Sequence, residues 1–165
     1  MSIAYQLSFV RGTLPEYVTL VAVSKTHPAG AIREAYDAGH RIFGESRPQE
    51  LREKYDVLPK DIEWHMIGHL QTNKVNKVVG HAALIQSVDS TRLLDKIEAA
   101  AERLGITQEI LMEINIGAEE SKSGVGPDDL WPLLDAAAAK THIKVRGLMA
   151  IPPADADDTA TRRFF

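Results

Sequence analysis

An apolar, partly β-branched run, Thr19-Leu20-Val21-Ala22-Val23, breaks off into the polar cluster Ser24-Lys25-Thr26-His27, and Pro28 then opens the stretch Ala29 to Ala38. The run is too short for a helix and lacks polar alternation, so it predicts a strand buried on both faces, as in a parallel sheet. Proline carries a fixed φ suited to a first helical position. Strand, polar turn and helix in that order put Lys25 at the carboxyl end of a parallel strand, where α/β folds place their ligands.

The same unit recurs along the chain. Arg41 to Phe43 leads to a helix over Pro48 to Leu58, Glu63 to Ile67 to one over Thr72 to Val79, and Ala83 to Gln86 to one over Thr91 to Leu104. In the last of these, Asp89 or Ser90 serves as N-cap, Gly105 as the stop, and Leu93, Leu94, Ile97, Ala101 and Leu104 form an apolar stripe at helical spacing. Glu109 to Ile114 leads to Pro127 to Ala139, and Lys144 to Met149 to Asp158 to Phe165. Ahead of them all, Ile3, Leu7 and Val10 are spaced along one face of a helix over Ser2 to Leu14 that Pro15 ends.

Six βα units at roughly 25 residues each predict a parallel sheet covered by helices. No Gly-x-Gly-x-x-Gly follows the first strand and no Walker A pattern occurs, which weighs against nucleotide-binding sheets. The expected fold is therefore α/β, a TIM-type (β/α)8 barrel of which about six units are present, in one partial domain over residues 1–165. Two more units would need about 50 further residues. The chain instead ends on Arg162-Arg163-Phe164-Phe165, in a helix with an exposed aromatic pair, so it reads as a barrel lacking its last quarter. Such a sheet exposes two unpaired edges, at its first and sixth strands.

Composition narrows the chemistry. The chain has 165 residues and no cysteine, which excludes disulfides, thiolate nucleophiles and Cys-ligated metals. Its net charge of −4 offers no electrostatic footprint for nucleic acid. Apolar runs are too short to span a bilayer and the first residues carry no signal-peptide pattern, so the expected compartment is the cytoplasm.

Each strand gives way to a polar segment: Ser24-Lys25-Thr26, then Glu45-Ser46-Arg47, then Gly68 to Lys74, then Ser87-Val88-Asp89-Ser90, then Asn115, then Met149 to Pro153. In a parallel sheet these groups meet at one rim, the default site of the architecture. A lysine directly after a strand can simply snorkel to solvent. Here the flanking Val21 to Val23 and the small hydroxyls of Ser24 and Thr26 predict partial burial, which would raise the neutral fraction that attack on a carbonyl requires. His65 and His69 have metal-ligand spacing, but Met66 stands where a metalloprotease motif needs Glu, so one packed and one rim histidine is the reading. The loop carrying Glu119, Glu120, Lys122 and Gly124 reads as solvated rather than as a lid, and Asp155, Asp157 and Asp158 read as N-terminal helix charges.

With these residues in view, the chain resembles the YggS/PROSC family of pyridoxal-phosphate-binding homeostasis proteins. The matching stretches are Val21 to Thr26, Phe43-Gly44-Glu45, Glu63 to Lys74, Ser87 to Ser90, and Gly147 to Pro153, in that order. The resemblance implies an alanine-racemase-like barrel with Lys25 in a Schiff base to pyridoxal 5′-phosphate, acting in intracellular cofactor buffering or delivery without an established catalytic step. It also implies that Ser46, Ser87 and Met149 line the ring, and that PLP-dependent apo-enzymes are partners of a monomeric protein. Two departures matter. The family usually has Asn at the position of Ser46, whose shorter hydroxyl cannot reproduce an amide's reach. The family's later Gly-Met-Ser and Arg-Ile-Gly stretches, expected to hold the phosphate, have no counterpart. Weak cofactor binding by this chain is the expectation. Two alternatives stay open: a fold-type III racemase or decarboxylase, for which no tyrosine stands evidently opposite the lysine, and an interaction protein with a vestigial site.

Overall fold

A computed structural model describes residues 2–117 and 123–164, with the side chain of residue 164 outside the description. Among them, six strands form one parallel sheet in the order β1-β2-β3-β4-β5-β6. They are β1 Ala22–Val23, β2 Ile42–Glu45, β3 Glu63–Met66, β4 Leu84–Val88, β5 Gln108–Ile114 and β6 Ile143–Ala150. Helices α1 Ile3–Thr13, α2 Ala29–Asp37, α3 Pro48–Val57, α4 Thr91–Leu104, α5 Pro127–Ala138 and α6 Asp158–Phe164 alternate with them. This is the predicted succession of βα units, with β1 and β6 at the two open edges. The loop residues Glu119, Glu120 and Lys122 and the final Phe165 lie outside the described residues.

The helices bury one face of the sheet. Phe43, Trp64, Met66, Ile85, Ile110 and Met112 from the strands pack with Ile32, Leu51, Leu93, Leu94, Ile97 and Leu133 from α2 to α5. Each such side chain contributes roughly 1.5–3 kcal/mol by leaving water. α4 shows how the sequence dictates this. The Ser90 hydroxyl accepts the Leu93 N–H, Gly105 ends the helix at φ 64°, and the apolar stripe lies inward. Its last expected member, Leu104, is half exposed, and Ala100 is buried instead.

Three local expectations are corrected. Only Ala22 and Val23 of the first strand join the ladder, and Val23 is 50% exposed rather than buried on both faces. The cause is its edge position: β2 covers one side only. After β3 the chain forms a 3₁₀ helix over Thr72–Lys77 in place of the expected α-helix ending at Val79. Lys25 is exposed, so the partial burial predicted from its flanks is absent.

Three histidines bear on stability. His40 Nε2–H donates to Ile42 O at 2.7 Å, while its Nδ1 accepts from Arg11 Nη2 at 2.7 Å, tying α1 to the end of α2. Burial holds His40 below the ordinary imidazole range, and the charges of Arg11 and Arg41 add to this against the Ile42 bond. Burial lowers His65 and His81 too, with Arg52 adding to the second. A base with a lowered folded pKa binds more protons when unfolded, so stability is lost as pH falls through the unfolded value of about 6.5 until the folded rings charge. Glu113, raised chiefly by burial, works the other way, one group against three. The midpoint of urea unfolding is expected to drop between about pH 7.5 and pH 5.5. A midpoint that holds level or rises over that interval contradicts this assignment.

Candidate functional site

Because all six strands run parallel, the residues at their carboxyl ends share one end of the sheet. Lys25 is the second residue of a tight turn there. The His27 N–H donates to Ser24 O at 3.0 Å, and Thr26 takes φ 67°, the pattern of a type II turn whose third position favours glycine. A β-branched residue in the left-handed region costs on the order of 1–3 kcal/mol. The surrounding structure must therefore hold it.

What holds it is a buried cluster of charge. Lys54, from α3 and 7% exposed, donates to Glu45 Oε1 at 2.6 Å, Glu50 Oε1 at 2.7 Å and Ser24 O at 2.8 Å. All three ammonium protons are used. Glu45, fully buried at the end of β2, also accepts the Ser24 hydroxyl at 2.6 Å. Glu50 accepts the Thr26 N–H at 2.6 Å. Its carboxyl is held below the usual range, first by the Lys54 bond, then against its partial burial by the Thr26 N–H and the Lys54 and Arg47 charges. Both neighbours of Lys25 are thus tied to one ammonium, while Lys25 itself faces solvent. Losing that ammonium alone would strand the Glu45 charge in the interior, at about 3–5 kcal/mol.

The other predicted residues divide by strand. Ser46 is half-buried after β2, with Gly68 pressed on it: a Cβ on Gly68 would lie 2.4 Å from Ser46 O. Met149 is half-buried on β6, in register with Glu113 of β5. Ser87 is fully buried on β4, where the ladder shifts register, and its hydroxyl has no hydrogen-bond partner among the described residues. Lys25 and Ser46 therefore share the β1–β2 end of the rim, and Met149 belongs to the opposite edge strand. His65 is packed, accepting from Gln86 Nε2 at 2.9 Å, while the His69 side chain is 55% exposed and 3.6 Å from Asp89, which places them as one core and one rim histidine. Asp155, Asp157 and Asp158 are exposed around the start of α6, where Asp157 Oδ1 accepts the Ala160 N–H at 2.7 Å.

Sequence reasoning misses two groups. Glu50 and Lys54 stand four apart on α3, a spacing that reads as an ordinary surface pair until Glu45 is placed across from it. Glu113 follows the core residue Met112 on β5, and its carboxyl is raised by burial and then by the Asp89 charge, against His69. The residues suit the aldehyde end of pyridoxal phosphate: a solvent-facing primary amine on a turn that the fold has already fixed.

The profile of the alanine racemase N-terminal domain matches residues 1–164. A pyridoxal phosphate homeostasis protein of Aquifex aeolicus is 45% identical over 81% of this chain and 59% of its own length. One of Escherichia coli K12 is 42% identical over 88% of this chain and 64% of its own. The chain therefore spans about three fifths of the length of these curated relatives. The structure of PipY from Synechococcus elongatus with pyridoxal phosphate bound superposes with a TM-score of 0.89 at 39% identity, covering 98% of this chain and 76% of that one. Alanine racemase of Clostridium difficile shares the fold, with a TM-score of 0.81 at 15% identity over 97% of this chain and 43% of that one.

Gly68→Ala tests the close approach at Ser46. The added methyl meets backbone that cannot swing aside, so a stability loss of about 1–3 kcal/mol is expected in chemical denaturation. A change within about 0.5 kcal/mol, the range of ordinary surface substitutions, would contradict the packing described.

Proposed function

This chain belongs to the pyridoxal phosphate homeostasis protein family, within the alanine racemase N-terminal domain family, and from that premise we propose that it takes up pyridoxal 5′-phosphate on Lys25. The cofactor is held as a Schiff base for buffering and delivery, without turnover of a substrate. The observation that carries the reading is Lys25 itself, a solvent-facing amine on a turn fixed from both sides at the carboxyl ends of parallel strands.

When bound, pyridoxal phosphate supplies an aldehyde carbon and an electron-withdrawing ring. Lys25 Nζ must be unprotonated to act as a nucleophile, and its exposed position leaves it open to an approaching aldehyde. The amine then adds to the aldehyde carbon, and the carbonyl oxygen departs as water. Ser46 and Met149, from the ends of β2 and β6, flank the ring in this reading, and Ser87 backs it from β4. The same reading makes the chain a single, partial barrel domain, monomeric and cytoplasmic, with apo-enzymes that need the cofactor as its receivers.

The test is borohydride reduction of the protein mixed with pyridoxal phosphate, followed by peptide mass mapping, beside Lys25→Ala. One saturable adduct on Lys25, absent from the variant, is expected. Adducts scattered over surface lysines and unchanged by Lys25→Ala would overturn the proposal.

A further inference from the structure

We propose that Lys54 is a positioning residue for Lys25, fixing the backbone turn from which the Lys25 amine projects. This rests on the reading of Lys25 as the aldehyde-capturing amine, and it concerns a residue that never meets the cofactor. Lys54 bonds directly to Ser24 O, the residue before Lys25, and through Glu50 to the N–H of Thr26, the residue after it. Through Glu45 it also fixes the Ser24 hydroxyl. The turn between those points is one that the sequence does not favour by itself. Thr26 at φ 67° is neither glycine nor asparagine, so the conformation is costly, and the Glu50 carboxylate that accepts its N–H helps to hold it.

The cluster is also a costly way to join α3 to β2. Glu45 Oε2 is buried with no hydrogen-bond partner among the described residues, and three charges occupy positions that apolar side chains could fill with equal or better stability. Its geometry converges on the two residues beside Lys25. A role in packing alone would leave those two bonds without consequence for Lys25.

The experiment compares the unmodified chain with Lys54→Met and with Thr26→Gly/Lys54→Met, in which glycine adopts the left-handed conformation without help. Two readouts are taken for each. One is the rate of acetylation of Lys25 by acetic anhydride across the pH range in which lysines titrate, relative to the other lysines. The other is the borohydride-trapped yield of pyridoxal phosphate on Lys25. In Lys54→Met both are expected to shift at Lys25 alone, with trapped yield falling about tenfold, the scale of one lost charge-assisted hydrogen bond. The added Thr26→Gly recovers most of that loss. Should Lys54→Met not fold, Glu50→Gln at the half-exposed end of the cluster takes its place. It is expected to move the same readouts in the same direction by less, since a neutral amide oxygen still accepts the Thr26 N–H. A folded variant with the acetylation profile and trapped yield of the unmodified chain overturns the positioning role. If acetylation of Lys25 shifts while pyridoxal phosphate never labels Lys25 in any form, the positioning role stands and the cofactor reading falls.

Discussion

One ammonium group, that of Lys54, decides the shape of the site. It has three protons and three buried or half-buried acceptors, Glu45, Glu50 and the carbonyl of Ser24. A charge is tolerable inside a protein only when its hydrogen-bonding capacity is met, and here it is met by groups from β2, from α3 and from the turn after β1. The three elements are locked together by that requirement. Moving any one of them leaves a buried charge without its partner.

The architecture makes this convergence possible. In a parallel sheet each strand delivers its last residue to the same end, and the helix that comes next begins beside it. Glu45 closes β2, Pro48 opens α3, and two helical turns later Lys54 comes back over the strand end it started from. Glu50, one turn before Lys54, faces the neighbouring β1 turn and reaches the N–H of Thr26. A single βα unit thus carries the device that shapes the loop of the unit before it. Only two residues of β1 pair with β2, so the turn after them is held chiefly by these side-chain bonds.

Most of the fold was legible because it rests on patterns that act locally. The periodic apolar stripe of α4, its Ser90 cap and its Gly105 stop state their own structure. The place of Lys25 at the end of the first strand was legible as well, since an apolar run that breaks into a polar cluster marks a strand end. The exposure of Lys25 was not, because burial at the first strand depends on a second neighbour that no local pattern announces. The charge cluster was hidden for a related reason. Lys54 and Glu50 look like a solvated pair until the sheet brings Glu45 against them, and Thr26 shows no sign in sequence of its left-handed backbone.

Amide hydrogen exchange at Thr26 in the unmodified chain addresses the central claim most directly. If the buried cluster holds the turn, the Thr26 N–H exchanges far more slowly than the amide of a free surface loop, although Lys25 beside it faces water. Exchange at the rate of a free surface loop would mean that Glu50 does not hold that N–H in solution, and that the turn carrying Lys25 is not fixed by Lys54.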